Sequence, residues 1–134
     1  MATILAHVTV KPGFEERWED ICRRMFSATH ENETAVRRYE YWRGQDERTY
    51  YTLLSFDDHR SFIVHQTSEH HETESPRIGE CVESLRLEWV DPIQGACDLP
   101  STDHQTAPDG ASDLTAKYTD RFAAQVADWW LSMR

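Results

Sequence analysis

The sequence has no surplus of positive charge, few cysteines and no long apolar run, and each shortage excludes a class of function. There are 14 basic residues against 24 acidic ones, giving a formal net charge of −10. A nucleic-acid partner is therefore not expected, because phosphate would be repelled and no basic stripe compensates. The arginine pairs at 23–24 and 37–38 each sit among acidic residues. No apolar stretch approaches the roughly 20 residues that cross a bilayer, so no membrane partner is expected. The first residues, Met1-Ala2-Thr3-Ile4, lack the basic and apolar regions of a secretion signal. The 3 cysteines, Cys22, Cys81 and Cys97, form an odd set without metal-ligand spacing. They read as reduced thiols, and a cytoplasmic location is the expectation. Glycine-rich phosphate loops, HExxH, GxSxG and CxxC do not occur, which argues against nucleotide, zincin, α/β-hydrolase and dithiol chemistry.

What is present is a regular succession of short elements. Residues 3–10 are rich in β-branched side chains, with Ile4, Ala6, Val8 and Val10 on one face of a strand and Leu5, His7 and Thr9 on the other. Lys11-Pro12-Gly13 ends it. Phe14, Trp18, Ile21, Cys22, Met25 and Thr29 then recur at helical spacing, which predicts a helix over about 14–30. Residues 35–43 and 49–56 read as two strands joined by a short loop, hence an antiparallel hairpin. Asp57 or Asp58 can cap a helix over about 58–66. Ser75-Pro76 reads as the start of another helix, reaching about 83. Leu85, Leu87 and Trp89 alternate in a last strand that stops at Asp91-Pro92.

This order predicts an α+β, ferredoxin-like split βαβ fold over residues 1–93: a four-stranded antiparallel sheet with helices on one face. The strands carry large side chains on both faces, so a second copy of the sheet is the simplest cover for the bare side. Residues 94–112 have the composition of a flexible linker. Leu114, Tyr118, Phe122, Val126, Trp129, Trp130 and Met133 then predict one C-terminal amphipathic helix within 113–134, capped by Ser112 or Asp113. Its adjacent tryptophans would be costly in water, so the helix is expected to dock on the core or on a dimer mate.

One segment carries more than fold information. Phe56-Asp57-Asp58-His59-Arg60-Ser61-Phe62-Ile63-Val64-His65-Gln66-Thr67-Ser68-Glu69-His70 resembles the second-helix region of the antibiotic biosynthesis monooxygenase family, with its His-x-x-Ser-x-His run. Val10-Lys11-Pro12-Gly13-Phe14-Glu15-Glu16-Arg17-Trp18 is similar to that family's strand-to-helix turn, and Arg37-Arg38-Tyr39-Glu40-Tyr41-Trp42-Arg43 to its second strand. The resemblance covers about residues 3–91. It implies a dimeric α+β barrel, with a cavity between each protomer's sheet and helices. It also implies a cofactor-independent monooxygenase that uses molecular oxygen on a phenolic, quinol or polycyclic aromatic molecule. An isomerase or other proton-transfer enzyme on the same scaffold, or a non-catalytic binding protein, are the alternatives. The haem-degrading branch uses Asn, Trp and His at positions where Ala6, His65 and Ser75 stand here, so haem chemistry is not expected.

His65 is the expected catalytic base, since it shares a helix face with Phe62 and a neutral imidazole takes a proton near neutral pH. His7, Tyr39, Trp42, Tyr51, Phe62 and His70 are the expected substrate contacts. No cofactor and no metal is expected. His59 and His65 stand about 240° apart on a helix of roughly 100° per residue, and His70-His71 beside Glu69 and Glu72 reads as a solvated loop.

Overall fold

Alternating β-branched residues make Ala2–Val10 the first strand, β1. In the computed structural model, which describes residues 1–134, Ile4, Ala6, Val8 and Val10 are buried on its inner face, while Leu5, His7 and Thr9 are half-buried on the other. Val36–Arg43 (β2), Thr49–Phe56 (β3) and Val82–Trp89 (β4) join it in an antiparallel sheet ordered β2-β3-β1-β4. The helices Glu15–Asn32 (α1) and His59–Gln66 (α2) pack on the inner face. Trp18, Ile21 and Met25 of α1 and Phe62 and Ile63 of α2 form one core with the inward residues of the sheet. The ferredoxin-like arrangement expected from the element order is the one adopted.

The third helix begins earlier than Ser75-Pro76 suggests. Glu69–Cys81 form α3, with Ser68 as its cap: the Ser68 hydroxyl accepts the His71 amide at 3.3 Å. Glu69 and Glu72 suit the positive end of the helix dipole. Pro76 lies inside the helix, where its missing N–H removes one backbone bond without ending the run. His70 and His71 therefore stand on the first turn of a helix rather than on a solvated loop.

The segment after β4 is pinned, not loose. Thr102 is fully buried. Its hydroxyl donates to the Val90 carbonyl at 2.6 Å, its amide donates to Asp91 at 2.9 Å, and it accepts the Thr3 amide at 3.2 Å. Arg38, on the outer face of the sheet, reaches Asp98 at 3.2 Å. The chain thus crosses one end of the outer face before passing to the helix side.

There the single expected helix is two. Asp113–Arg121 form α4, capped by Ser112, and Asp128–Leu131 form α5. Tertiary hydrogen bonds take the backbone groups that would have continued α4. The Ala124 amide donates to His104 Nδ1 at 3.2 Å, and the ring nitrogens of buried His59 lie 2.8 Å from the Gln105 carbonyl and 2.9 Å from that of Phe122. Trp129 is 67% exposed on the single chain, so it does not dock on the chain's own core. No helix is long and apolar enough to cross a membrane.

Candidate active site

A carboxylate at a helix C-terminus faces the negative end of the dipole and needs a compensating partner. Glu33 occupies that place at the end of α1, with its amide on the Thr29 carbonyl and its side chain only 10% exposed. Two histidines supply the compensation. His65, in the last turn of α2, places Nδ1 2.8 Å from Glu33 Oε1; His70, in the first turn of α3, places Nε2 2.8 Å from the same oxygen. The His65 contact is a hydrogen bond and puts that ring's proton on Nδ1, while His70 Nε2 stands against the same oxygen as a close charge contact and has Ser68 Oγ at 3.2 Å and Thr29 Oγ1 at 3.4 Å as its hydrogen-bond neighbours.

The His65 ring is held on every side. It lies 5.0 Å from the Tyr39 ring, 5.2 Å from Phe56 and 5.1 Å from His71, measured between centroids. The Ser68 hydroxyl donates to the His65 carbonyl at 2.7 Å, which ties the end of α2 to the cap of α3. His65 is 1% exposed, and with Nδ1 engaged, Nε2 is the nitrogen free to act on a bound molecule.

That molecule has a place. A cavity of about 170 Å³ lies between the sheet and the helices, walled by His65, Tyr39, Tyr41, Trp18, Phe62 and His71 among others. Tyr118 and Arg121 of α4, with Phe122 just after it, close one side, and the Tyr118 hydroxyl donates to Glu72 of α3 at 2.7 Å. The Tyr39 and Tyr41 hydroxyls are 3.0 Å apart. Burial raises the pKa of both phenols, so they stay protonated and act as donors rather than bases. Burial lowers His71 to about 3, which keeps its ring neutral. Trp18 Nε1 and His71 Nδ1 are buried without hydrogen-bond partners, and both residues line the cavity.

Of the residues expected from the sequence, His65, Tyr39 and Phe62 meet at this cavity. His70 lies behind His65 on Glu33, in a separate outer groove. His7, Trp42 and Tyr51 are cross-strand neighbours on the opposite face of the sheet. His7 Nε2 is 2.9 Å from Glu88 there, and its ring sits edge-on to Tyr51. The period of two in the strands sends these three away from the cavity and Tyr39 and Tyr41 into it. His59 is committed to two backbone carbonyls, in line with its divergence from His65. Histidine spacing alone nevertheless missed a convergence: Glu33, His65 and His70 place one potential metal-binding atom each within 4.8 Å of one another. Glu33 comes from 32 residues upstream of His65, and the only local signal for it was an acidic residue at the wrong end of a helix.

The sequence profile of the family described as "Antibiotic biosynthesis monooxygenase" matches residues 1–73. The chain belongs to the antibiotic biosynthesis monooxygenase family, within the dimeric α+β barrel superfamily. Solved structures agree on the fold. PA3566 from Pseudomonas aeruginosa is 20% identical, with a TM-score of 0.62 over 66% of this chain and 90% of that one. SO0527 from Shewanella oneidensis is 23% identical, with a TM-score of 0.62 over 66% and 87%. Rv0793 from Mycobacterium tuberculosis is 15% identical, with a TM-score of 0.65 over 72% and 98%. No curated protein matches the chain. The family match takes in β1 to the start of α3, and with it Glu33, His65, His70 and His71.

Proposed function

We propose that this protein is a cofactor-independent monooxygenase of a single-ring phenol or quinol, with His65 as general base and molecular oxygen as co-substrate. The observation that carries this reading is the Glu33–His65 pair, 2.8 Å apart, at the wall of an aromatic cavity. Glu33 holds the tautomer in which Nε2 of His65 has its lone pair available. That nitrogen takes the phenolic proton. The phenolate passes one electron to oxygen, and the radical pair combines to form a C–O bond to a peroxide. The peroxide takes the proton held by His65; the imidazole then removes the hydrogen of the oxygenated ring carbon, its C–H electrons form the new C=O as the O–O bond breaks, and the departing hydroxide takes that proton and leaves as water. For a hydroquinone the products are a hydroxyquinone and one water, and the substrate supplies all four electrons, so no external reductant is needed.

The cavity supports the substrate class. An engineered apolar cavity of about 150 Å³ holds benzene, so about 170 Å³ suits one ring and not a fused polycycle while α4 is in place. The unpartnered Trp18 N–H calls for an acceptor oxygen, and a buried donor left unpaired costs about 1–3 kcal/mol. A second copy on the outer face of the sheet, in the manner of the superfamily, would cover His7, Tyr51 and Trp42. Oxygen uptake by purified, metal-free protein with a panel of substituted hydroquinones tests the reading. Uptake that falls roughly 10²- to 10⁴-fold in His65→Ala is expected. Equal uptake in that variant removes His65 from the chemistry.

A further inference from the structure

The side of His65 turned from the cavity carries its own chemistry. Two imidazoles and one carboxylate, from the end of α1, the end of α2 and the start of α3, meet at a single oxygen. We infer that Glu33, His65 and His70 bind one divalent transition-metal ion of the zinc type, and that this ion switches off the base. Around a tetrahedral ion with bonds of roughly 2.0–2.2 Å, donors stand about 3.3 Å apart. The two N···O separations of 2.8 Å would open by about half an ångström to admit it, and all three donor atoms lie within 4.8 Å of one another.

The surroundings suit an ion. Glu33, His70 and Ser68 line an outer groove that gives solvent a way in and leaves room for a water as fourth ligand. Glu69 lines the same groove and adds negative charge, while Glu74 there is paired with Arg24 and Arg77. Ser68 Oγ and Thr29 Oγ1 lie 3.2 and 3.4 Å from His70 Nε2, and an ion that takes this nitrogen displaces both contacts. Imidazole-rich donor sets favour zinc, cobalt, iron or copper over magnesium and calcium.

The ion would replace the proton on Nδ1 of His65. A neutral ring bound through Nδ1 keeps its proton on Nε2, so the nitrogen left for the cavity becomes a donor and can no longer take a proton. This consequence rests on the role proposed for His65 above; the binding itself does not.

Full-length protein, stripped with chelator and dialysed, is titrated with Co²⁺ followed by its visible absorption, and with Zn²⁺ in competition. One ion per chain in a four-coordinate spectrum is expected. Affinity should fall more than about 10-fold in Glu33→Gln and in His70→Ala. His7→Ala, on the far face of the sheet, should bind as wild type, and Mg²⁺ should not compete. His70 is partly exposed, and its replacement leaves the core intact. No saturable binding, or equal affinity in His70→Ala and wild type, overturns the site. In parallel, one equivalent of Zn²⁺ should abolish oxygen uptake in wild type, and the inhibited fraction should shrink in His70→Ala. Uptake that persists while Co²⁺ absorption shows the site filled overturns the switch alone. Absence of uptake from the metal-free protein overturns the role given to His65, and the switch with it, while the absorption still decides the binding.

Discussion

Glu33→Gln isolates what the carboxylate does for His65. The glutamine is nearly isosteric, and its carbonyl can still accept from one ring. It loses the charge that holds the His65 N–H, and its amide can instead donate to Nδ1 and turn His65 to the unproductive tautomer. The lost interaction is a short, charge-assisted bond of 2.8 Å between groups whose side chains are 1% and 10% exposed. Hydrogen bonds to charged groups are worth about 1.5–3 kcal/mol, and each 1.36 kcal/mol is about tenfold in rate. The expected loss in kcat is therefore roughly 10- to 150-fold. KM should change little, because Glu33 lines the outer groove and not the cavity. The assay is initial oxygen uptake at varied hydroquinone concentration, with thermal unfolding alongside to show that the variant is folded. A folded Glu33→Gln with wild-type kcat would refute the claim that the carboxylate positions the base.

Further outcomes follow from other contacts. Phe122→Ala shortens a side chain that closes the cavity, so two-ring substrates or inhibitors should gain affinity over one-ring ones; unchanged selectivity would mean that α4 is no barrier. His59→Ala removes the ring set against the Gln105 and Phe122 carbonyls; limited proteolysis should then cut between α3 and α5 faster, with about 2–4 kcal/mol lost in unfolding. Glu74 is buried under Arg24, whose guanidinium lies 2.9 Å from it, with Arg77 also at 2.9 Å. The Arg24 hydrogen bond holds its carboxyl below the usual 4.5. Its contribution is therefore complete above about pH 4.5 and is lost as the pH falls through the lowered value. The stability difference between wild type and Glu74→Gln should shrink across that acid range and stay flat from pH 5 to 7, as read by urea unfolding. Leu53→Arg places a charge on the outer face of the sheet, and sedimentation should show a dimer for wild type and a monomer for the variant.

The fold was legible because its signals are local. The two-residue alternation of Ile4, Ala6, Val8 and Val10, the helical spacing of Trp18, Ile21, Cys22 and Met25, and Asp58 as a cap each act within a few residues. Pro76 misled because a serine before a proline also occurs inside a helix that starts at a better cap, Ser68. The tail misled because the break in α4 is made by His59 and His104, which lie outside the amphipathic pattern. The same split runs through the site. His65 and Phe62 could be paired from a three-residue step on one helix. Glu33 and His71 could not, because only the packing of α1 and α3 against α2 brings them to His65. His7, Trp42 and Tyr51 are aromatic neighbours in the register, yet the face they occupy is decided by which side the helices cover.

The most direct measurement is the fate of labelled oxygen. Metal-free protein is supplied with a one-ring hydroquinone under ¹⁸O₂, and the product is read by mass spectrometry. One ¹⁸O atom in each hydroxyquinone, with the yield lost in His65→Ala, is the expected result. Unlabelled product, or turnover that appears only when a metal ion is restored, would contradict a histidine base acting directly with oxygen.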